Sequence, residues 1–228
     1  GSYGCVRYPQ IKCNGKIIKK REFMNNKKSN LMSKISEINF YSLNELEVGM
    51  YLDKSKSNIE DPIFDSWIYV EKNCSIQRKK LNTQFEYDKC PKISKTTTKN
   101  TKEKKFMLLY TKYINSIDYS KYINSDFGIH KIFKLYYYQM SCAKLCSELG
   151  MTHQDMHLQN ILVDEKENLF LIDFGLSMVY DKFFLDKKNE TLDMNYLKNI
   201  FVSYQPTWVK LPIEYHICAF FIYENRIL

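Results

Sequence analysis

Between Thr152 and Gly175 the chain reads THQDMHLQNILVDEKENLFLIDFG. Two apolar runs, Ile161-Leu162-Val163 and Leu169-Phe170-Leu171-Ile172, flank a polar turn from Asp164 to Asn168. That pattern predicts a β-hairpin. A hairpin brings its two ends together. Asn160, just before the first run, and Asp173, just after the second, are therefore expected to meet at its open end. An amide oxygen beside a carboxylate suits a hard cation such as Mg²⁺, which takes few protein ligands and leaves room for phosphates. Asp155, five residues before Asn160, is placed to orient a hydroxyl nucleophile.

His153, Asp155 and Asn160, followed by Asp173-Phe174-Gly175, resemble the catalytic loop and the metal-binding motif of the protein kinase superfamily. The resemblance implies an α+β, bilobal protein-kinase-like fold. Residues 1–113 would form a β-rich amino-terminal lobe with basic insertions near 16–30 and 75–105. Residues 114–228 would form the hinge and a mainly helical carboxy-terminal lobe. It also implies ATP and Mg²⁺ as cofactors and transfer of a phosphoryl group to Ser or Thr of a protein substrate. In those roles Asp155 is the base and Asn160 and Asp173 hold the metal.

The rest of the chain supplies matching parts in the family's order. Gly1, Ser2, Tyr3, Gly4 and Val6 resemble the end of a glycine-rich loop, whose backbone N–H groups cover phosphates. A strand is expected from Val6 to Lys12. Leu31-Met32-Ser33-Lys34-Ile35 resembles the strand whose lysine, here Lys34, grips nucleotide phosphates. A helix is expected over Ser42 to Lys54, with Ser42 at the N-cap, Glu45 three positions on, and apolar faces from Leu43, Leu46, Val48, Met50 and Leu52. In the family a glutamate of this helix pairs with the lysine; Glu45 is preferred over Glu47. Ile63 to Glu71 and Phe106 to Tyr113 read as strands. The resemblance places Thr111 at the back of the adenine pocket, the backbone around Tyr113 at the adenine edge, and Asp118 near the ribose.

Helical periodicity over Gly128 to Leu149 uses Ile132, Leu135, Tyr136, Met140, Ala143, Leu145 and Leu149, with Gly150 as its stop. A further helix is expected within Leu192 to Val202. Pro212-Ile213-Glu214 resembles the end of a kinase activation segment. GSYGCVRYP and LPIEYHICAFFI are similar to serine/threonine kinases of large nucleocytoplasmic DNA viruses, which implies a cytoplasmic location, the host cytoplasm or the virion. The chain opens without Met and stops soon after Glu214, so a fragment or an incomplete carboxy-terminal lobe is expected.

Composition bounds the alternatives. With 228 residues, 44% of them hydrophobic, the chain can bury a sizeable core. No run of 18 apolar residues interrupts it, so no membrane-spanning helix and no membrane partner are expected. The net charge of +8 gathers in runs 16–28 and 92–105, which read as solvated loops; nucleic acid is not the expected partner. Seven scattered cysteines without a Cys-x-x-Cys pair argue against a zinc site or a disulfide framework and for a reducing compartment.

Two positions depart from the kinase pattern. His157 stands where a lysine normally neutralises the transferring group, as in atypical and small-molecule kinases; when protonated it would supply part of that charge. Gln154 replaces the arginine that clamps a phosphorylated activation loop, and glutamine has no charge to do so. Phosphotransfer is accordingly expected to survive alanine substitution at Thr191, Ser203 and Thr207. Loss of activity in that series, with phosphate found by mass spectrometry at one of the three, would contradict this.

Overall fold

In a computed structural model, residues 5–8, 10–13, 30–76, 105–125, 128–202 and 222 are described. Among them, the strands form two four-stranded sheets and two short two-stranded ones. The first sheet runs β1 (Cys5–Arg7), β2 (Leu31–Glu37), β5 (Phe106–Lys112), β4 (Val70–Ile76), all antiparallel. Side chains alternate between faces along a strand, and β5 shows both. Phe106, Leu108 and Tyr110 join Ile11, Ile35 and Ile76 on one face. Met107 and Leu109 join Val70 on the other, against Ile38 and Leu46.

Helix α1 (Phe40–Ser55) lies against that second face. Its cap is Asn39, whose side chain accepts the Ser42 N–H at 3.1 Å while Ser42 Oγ accepts the Asn39 N–H at 3.0 Å. The sequence expectation put Ser42 itself at the N-cap with Glu45 as its partner. The N-cap instead lies three residues earlier, at Asn39, which leaves Glu45 free of any capping role. Val48 and Leu52 are fully buried, whereas Leu43 and Met50 face solvent, so only part of the expected apolar face is used. Gly49 permits the close approach: a Cβ there would stand 2.3 Å from the Val70 carbonyl oxygen.

The expected strand over 63–71 is broken in two. Asp61 accepts the Ile63 N–H at 2.9 Å and opens a 3₁₀ turn at Pro62–Ser66. The chain then gives β3 (Trp67–Ile68) to the second sheet, crosses at Tyr69, and enters the first sheet as β4. The strand expected over 6–12 ends at Arg7, two residues before Pro9, which has no N–H for a ladder.

The second sheet runs β3, β9 (Leu169–Ile172), β8 (Ile161–Asp164), β6 (Ser116–Asp118). Its centre is the hairpin read from the sequence: Ile161, Leu162 and Val163 pair antiparallel with Leu171, Phe170 and Leu169. Helices α2 (Tyr119–Ser125) and α3 (Ile129–Glu148) follow β6, and α3 stops ahead of Gly150. The phase of α3 differs from the one expected. Its buried stripe is Lys131, Tyr138, Cys142, Leu145 and Cys146, while Ile132, Tyr136 and Met140 are exposed. Burial pushes the Cys142 and Cys146 thiols up to about 11 and about 12, so both are protonated packing groups at neutral pH. After β10 (Met178–Val179) come the short pair β11 (Phe184–Asp186) and β12 (Thr191–Leu192), then α4 (Met194–Val202).

Cys13 and Cys74 form a disulfide with 5.9 Å between their Cα atoms, a cross-link that runs against the expectation of no disulfide framework. They are 61 residues apart in sequence, and Cys74 lies in β4. No helix among the described residues is long and apolar enough to cross a membrane.

Gly49 gives a sign test of this packing. In an exposed helix, Gly→Ala stabilises by about 1 kcal/mol. Here Gly49→Ala is expected to destabilise by about 1–3 kcal/mol, because the new methyl group meets backbone. Denaturant unfolding of the two proteins decides it.

Candidate active site

The catalytic-loop region is held at both ends. Before it, β7 (Met151–Thr152) pairs antiparallel with β10, so Met178 faces Thr152 and Val179 faces Met151. After it, β8 and β9 form the hairpin. The loop from His153 to Asn160 and the segment from Asp173 to Ser177 are therefore set side by side.

His153 joins these two segments. It is completely buried. Its Nε2 lies 3.0 Å from the Ile172 carbonyl oxygen, a donor position, while Nδ1 accepts the Asp155 N–H at 3.3 Å. Both ring nitrogens are thus used by one neutral tautomer. Its ring edge meets Phe174, with centroids 4.7 Å apart, and Phe174 in turn packs on Trp67 at 5.6 Å. Burial drives the His153 pKa down to about 4, although Asp173 pulls the other way.

Asn160 donates its amide N–H₂ to the Asp155 carbonyl at 3.0 Å and to the Asp155 carboxylate at 2.9 Å. With the nitrogen committed, the amide oxygen is what Asn160 can offer to a cation. Asp173 sits at φ 62° and ψ 71°, in the left-handed region. Gln154, in the same loop, has φ 63°. Such conformations cost about 1–3 kcal/mol at a non-glycine residue and persist where the surroundings impose them.

Lys34 reaches into this region from β2. Its ammonium lies 2.7 Å from Glu45 Oε2 and 3.3 Å from Asp173 Oδ1. Burial alone would lower the Lys34 pKa, but Glu45 and Asp173 outweigh it and hold the ammonium above its ordinary value. Gly175 borders the same cluster: a side chain there would begin 3.3 Å from the Asp173 carboxylate and 3.8 Å from that of Glu45. The Asp155 carboxyl is raised, chiefly by burial and further by Asp173, while His157 and Asn160 oppose the shift. His157 accepts the Gln159 N–H at its Nδ1, 3.1 Å away, and its Nε2 stands 3.6 Å from Asp155.

The structure thus brings together Lys34, Glu45, Asp155, His157, Asn160 and Asp173. Val6 lies directly across the β1–β2 ladder from Lys34 and is 57% exposed, hence available to cover a ligand. Thr111 is buried and its hydroxyl has no hydrogen-bond partner. Tyr113 is less available. Its N–H donates to Asn30 O at 2.8 Å, its carbonyl accepts from the Asn30 side chain at 3.1 Å, and its ring stacks on Tyr8. Its backbone is therefore already occupied at the expected adenine edge. Asp118 spends its carboxylate on α2, accepting from Ser120 and the Lys121 N–H and pairing with the Lys121 ammonium at 2.8 Å. Burial would raise its pKa, but these bonds bring it to about 2. Gly1, Ser2, Tyr3 and Gly4 lie outside the described residues, as do Pro212-Ile213-Glu214 and most of both basic insertions. Sequence reasoning missed Asn39 and Asn44, polar helix-entry residues whose partners are distant or shared.

The profile of the ABC1 atypical kinase-like domain matches residues 70–200, more than half of the chain, and the chain belongs to that family. A kinase-like domain implies ATP as its nucleotide. The chain is also similar to the NUAK family SNF1-like kinase 1 of Mus musculus and of Homo sapiens, 42% identical in each case over 43 residues. That stretch is 19% of this chain and 6% of either relative.

Neutral His153 sets a pH dependence. Its folded pKa, about 4, lies below the ordinary 6.5, so the unfolded chain binds the extra proton first. Its contribution is complete above pH 6.5 and declines as pH falls toward 4. Between pH 7.5 and 5 the loss is expected to be about 2 kcal/mol. Urea unfolding at the two pH values, compared with His153→Leu, should show this slope in the natural chain alone.

Proposed function

We propose that this chain is a kinase that transfers the γ-phosphoryl group of ATP to Ser or Thr hydroxyls of a protein. The observation that carries the reading is the convergence of Lys34, paired with Glu45 and Asp173, on the hydrogen-bonded Asp155 and Asn160. Residues 1–113 and 114–228 are read as the two lobes that bring these groups together.

Asp155, with its raised pKa, orients the acceptor hydroxyl and takes its proton as the new O–P bond forms. Lys34 holds nonbridging phosphate oxygens, and Glu45 keeps its ammonium aimed there. Asn160 and Asp173 fit a hard cation, because both offer oxygen donors. Mg²⁺ held there would neutralise charge on the β- and γ-phosphates. Gly1 to Gly4 and Val6 would cover the phosphates, and Thr111 and Asp118 would border the adenosine. Such a site works by positioning and electrostatics. The likeness to viral kinases and the host-cytoplasm or virion location rest on resemblance at the two ends of the chain.

A second reading, phosphorylation of a small molecule on the same scaffold, is favoured by His157 beside Asp155 and by the atypical kinase-like family. One experiment separates the readings. Thermal unfolding and transfer of labelled phosphate are followed with ATP and Mg²⁺, for this chain and for Asp173→Asn. At 100-fold excess over Kd, nucleotide should stabilise the chain by about 2.7 kcal/mol, and the mutant should lose most of this. Label in a generic protein substrate, absent with Asp173→Asn, supports the protein-kinase reading. Stabilisation with ATP turnover but no protein label supports the small-molecule reading. No stabilisation of the natural chain would overturn both.

A further inference from the structure

We infer that Asn44 is a positioning residue that ties helix α1 to the segment following Asp173, and so holds Glu45, Lys34 and Asp173 in register. The inference rests on the phosphotransfer reading for its functional consequence, but its structural half stands alone.

Asn44 is 2% exposed and precedes Glu45 in α1. Its amide nitrogen donates to two backbone carbonyls, Gly175 O at 3.0 Å and Ser177 O at 2.9 Å. Those carbonyls lie two and four residues after Asp173. One side chain therefore fixes the neighbour of Glu45 to the neighbours of Asp173, and both carboxylates grip Lys34. The orientation of the amide is forced, because the reverse would set its oxygen against two carbonyl oxygens. Its own oxygen is left buried without a partner, although an unmade bond of that kind costs about 1–3 kcal/mol. A residue kept only for packing would be better apolar.

Phe174 shows why the tie matters. The turn Phe174–Leu176 packs on α1, and Ser177 is fully buried at its end. Sliding α1 along this turn would separate Glu45 from Lys34 without breaking either sheet. Asn44 blocks that motion with two bonds, one to the carbonyl of Gly175 within the turn and one to that of Ser177 just after it. The nearby pair between Lys182 and Glu47 links the same helix to the chain after β10, but Glu47 is more than half exposed, and such pairs hold weakly.

The test uses Asn44→Ala and Asn44→Asp, the second keeping the volume while facing both carbonyls with a carboxylate. Amide hydrogen exchange without nucleotide is the first readout. Either variant is expected to exchange at least tenfold faster across both 40–55 and 175–179, with α3 unchanged. Faster exchange in α1 alone, or equally through α3, would overturn the inference, since it would mean local fraying or general instability. The second readout is kinetic. The kcat is expected to fall at least tenfold, with KM for ATP changed less than threefold. A variant that loosens both segments yet keeps its kcat would overturn the functional half. If the natural chain transfers no phosphate at all, the proposed function fails by itself, and hydrogen exchange still decides whether Asn44 couples the two segments.

Discussion

The ion pair between Lys34 and Glu45 is the constraint on which the remaining architecture depends. Its side chains are 13% and 8% exposed, so both charges have been taken out of water. A buried pair adds little net stability, because desolvation offsets the Coulombic gain, yet removing one partner destabilises by about 3–5 kcal/mol. The fold must therefore deliver both ends accurately. The lysine comes from β2, whose register is fixed by seven paired positions along β5. The glutamate comes from α1, fixed at its start by the Asn39–Ser42 box and at its middle by Gly49 against Val70. The two elements are also tied to each other, since Ser42 Oγ in the first turn of α1 donates to the carbonyl of Glu37, the last residue of β2, at 2.8 Å.

On the opposite side, His153 does with hydrogen bonds what the pair does with charge. A neutral imidazole can donate and accept at once, and His153 spends one nitrogen on each of the two segments it joins. A protonated ring would have two donors and would lose the Asp155 N–H. Burial that lowers its pKa is thus part of how the loop keeps its shape. The left-handed backbone at Gln154 and Asp173 sits directly after this histidine and at the hairpin end.

The sequence exposed most of this framework because its signals were local. Two apolar runs around a polar turn specify a hairpin wherever they occur, and Asn160 and Asp173 follow from it by geometry. Lys34 and Glu45 were legible through spacing shared with a large family. The failures were non-local. Helix α3 carries apolar side chains on every face, so periodicity could not choose among phases; Tyr138, Cys142 and Cys146 won because Ser66, Trp67 and Phe64 lie across from them in the core. The 63–71 stretch looked like one strand because each half is apolar, and nothing local marks a change of sheet. Asn44 looked like an ordinary helical asparagine, since its partners are more than 130 residues away.

Charge counting explains why the proposed reading needs a cation. Among the described residues, Glu45, Asp155 and Asp173 bring three carboxylates to a region whose paired ammonium is that of Lys34, and His157 accepts a backbone N–H at one nitrogen. The lysine is already shared between two of the three. Nucleotide phosphates would add several negative charges at close range, in a site where burial strengthens every repulsion. Lys34 cannot neutralise both its carboxylates and the phosphates. His157 could add charge only when protonated, and then next to Asp155. In the proposed reading Asp173 and the Asn160 oxygen would hold a divalent cation, which would supply the missing positive charge while Glu45 retains Lys34. The 3.3 Å contact between Lys34 and Asp173, longer than the 2.7 Å contact to Glu45, is the looser of the two.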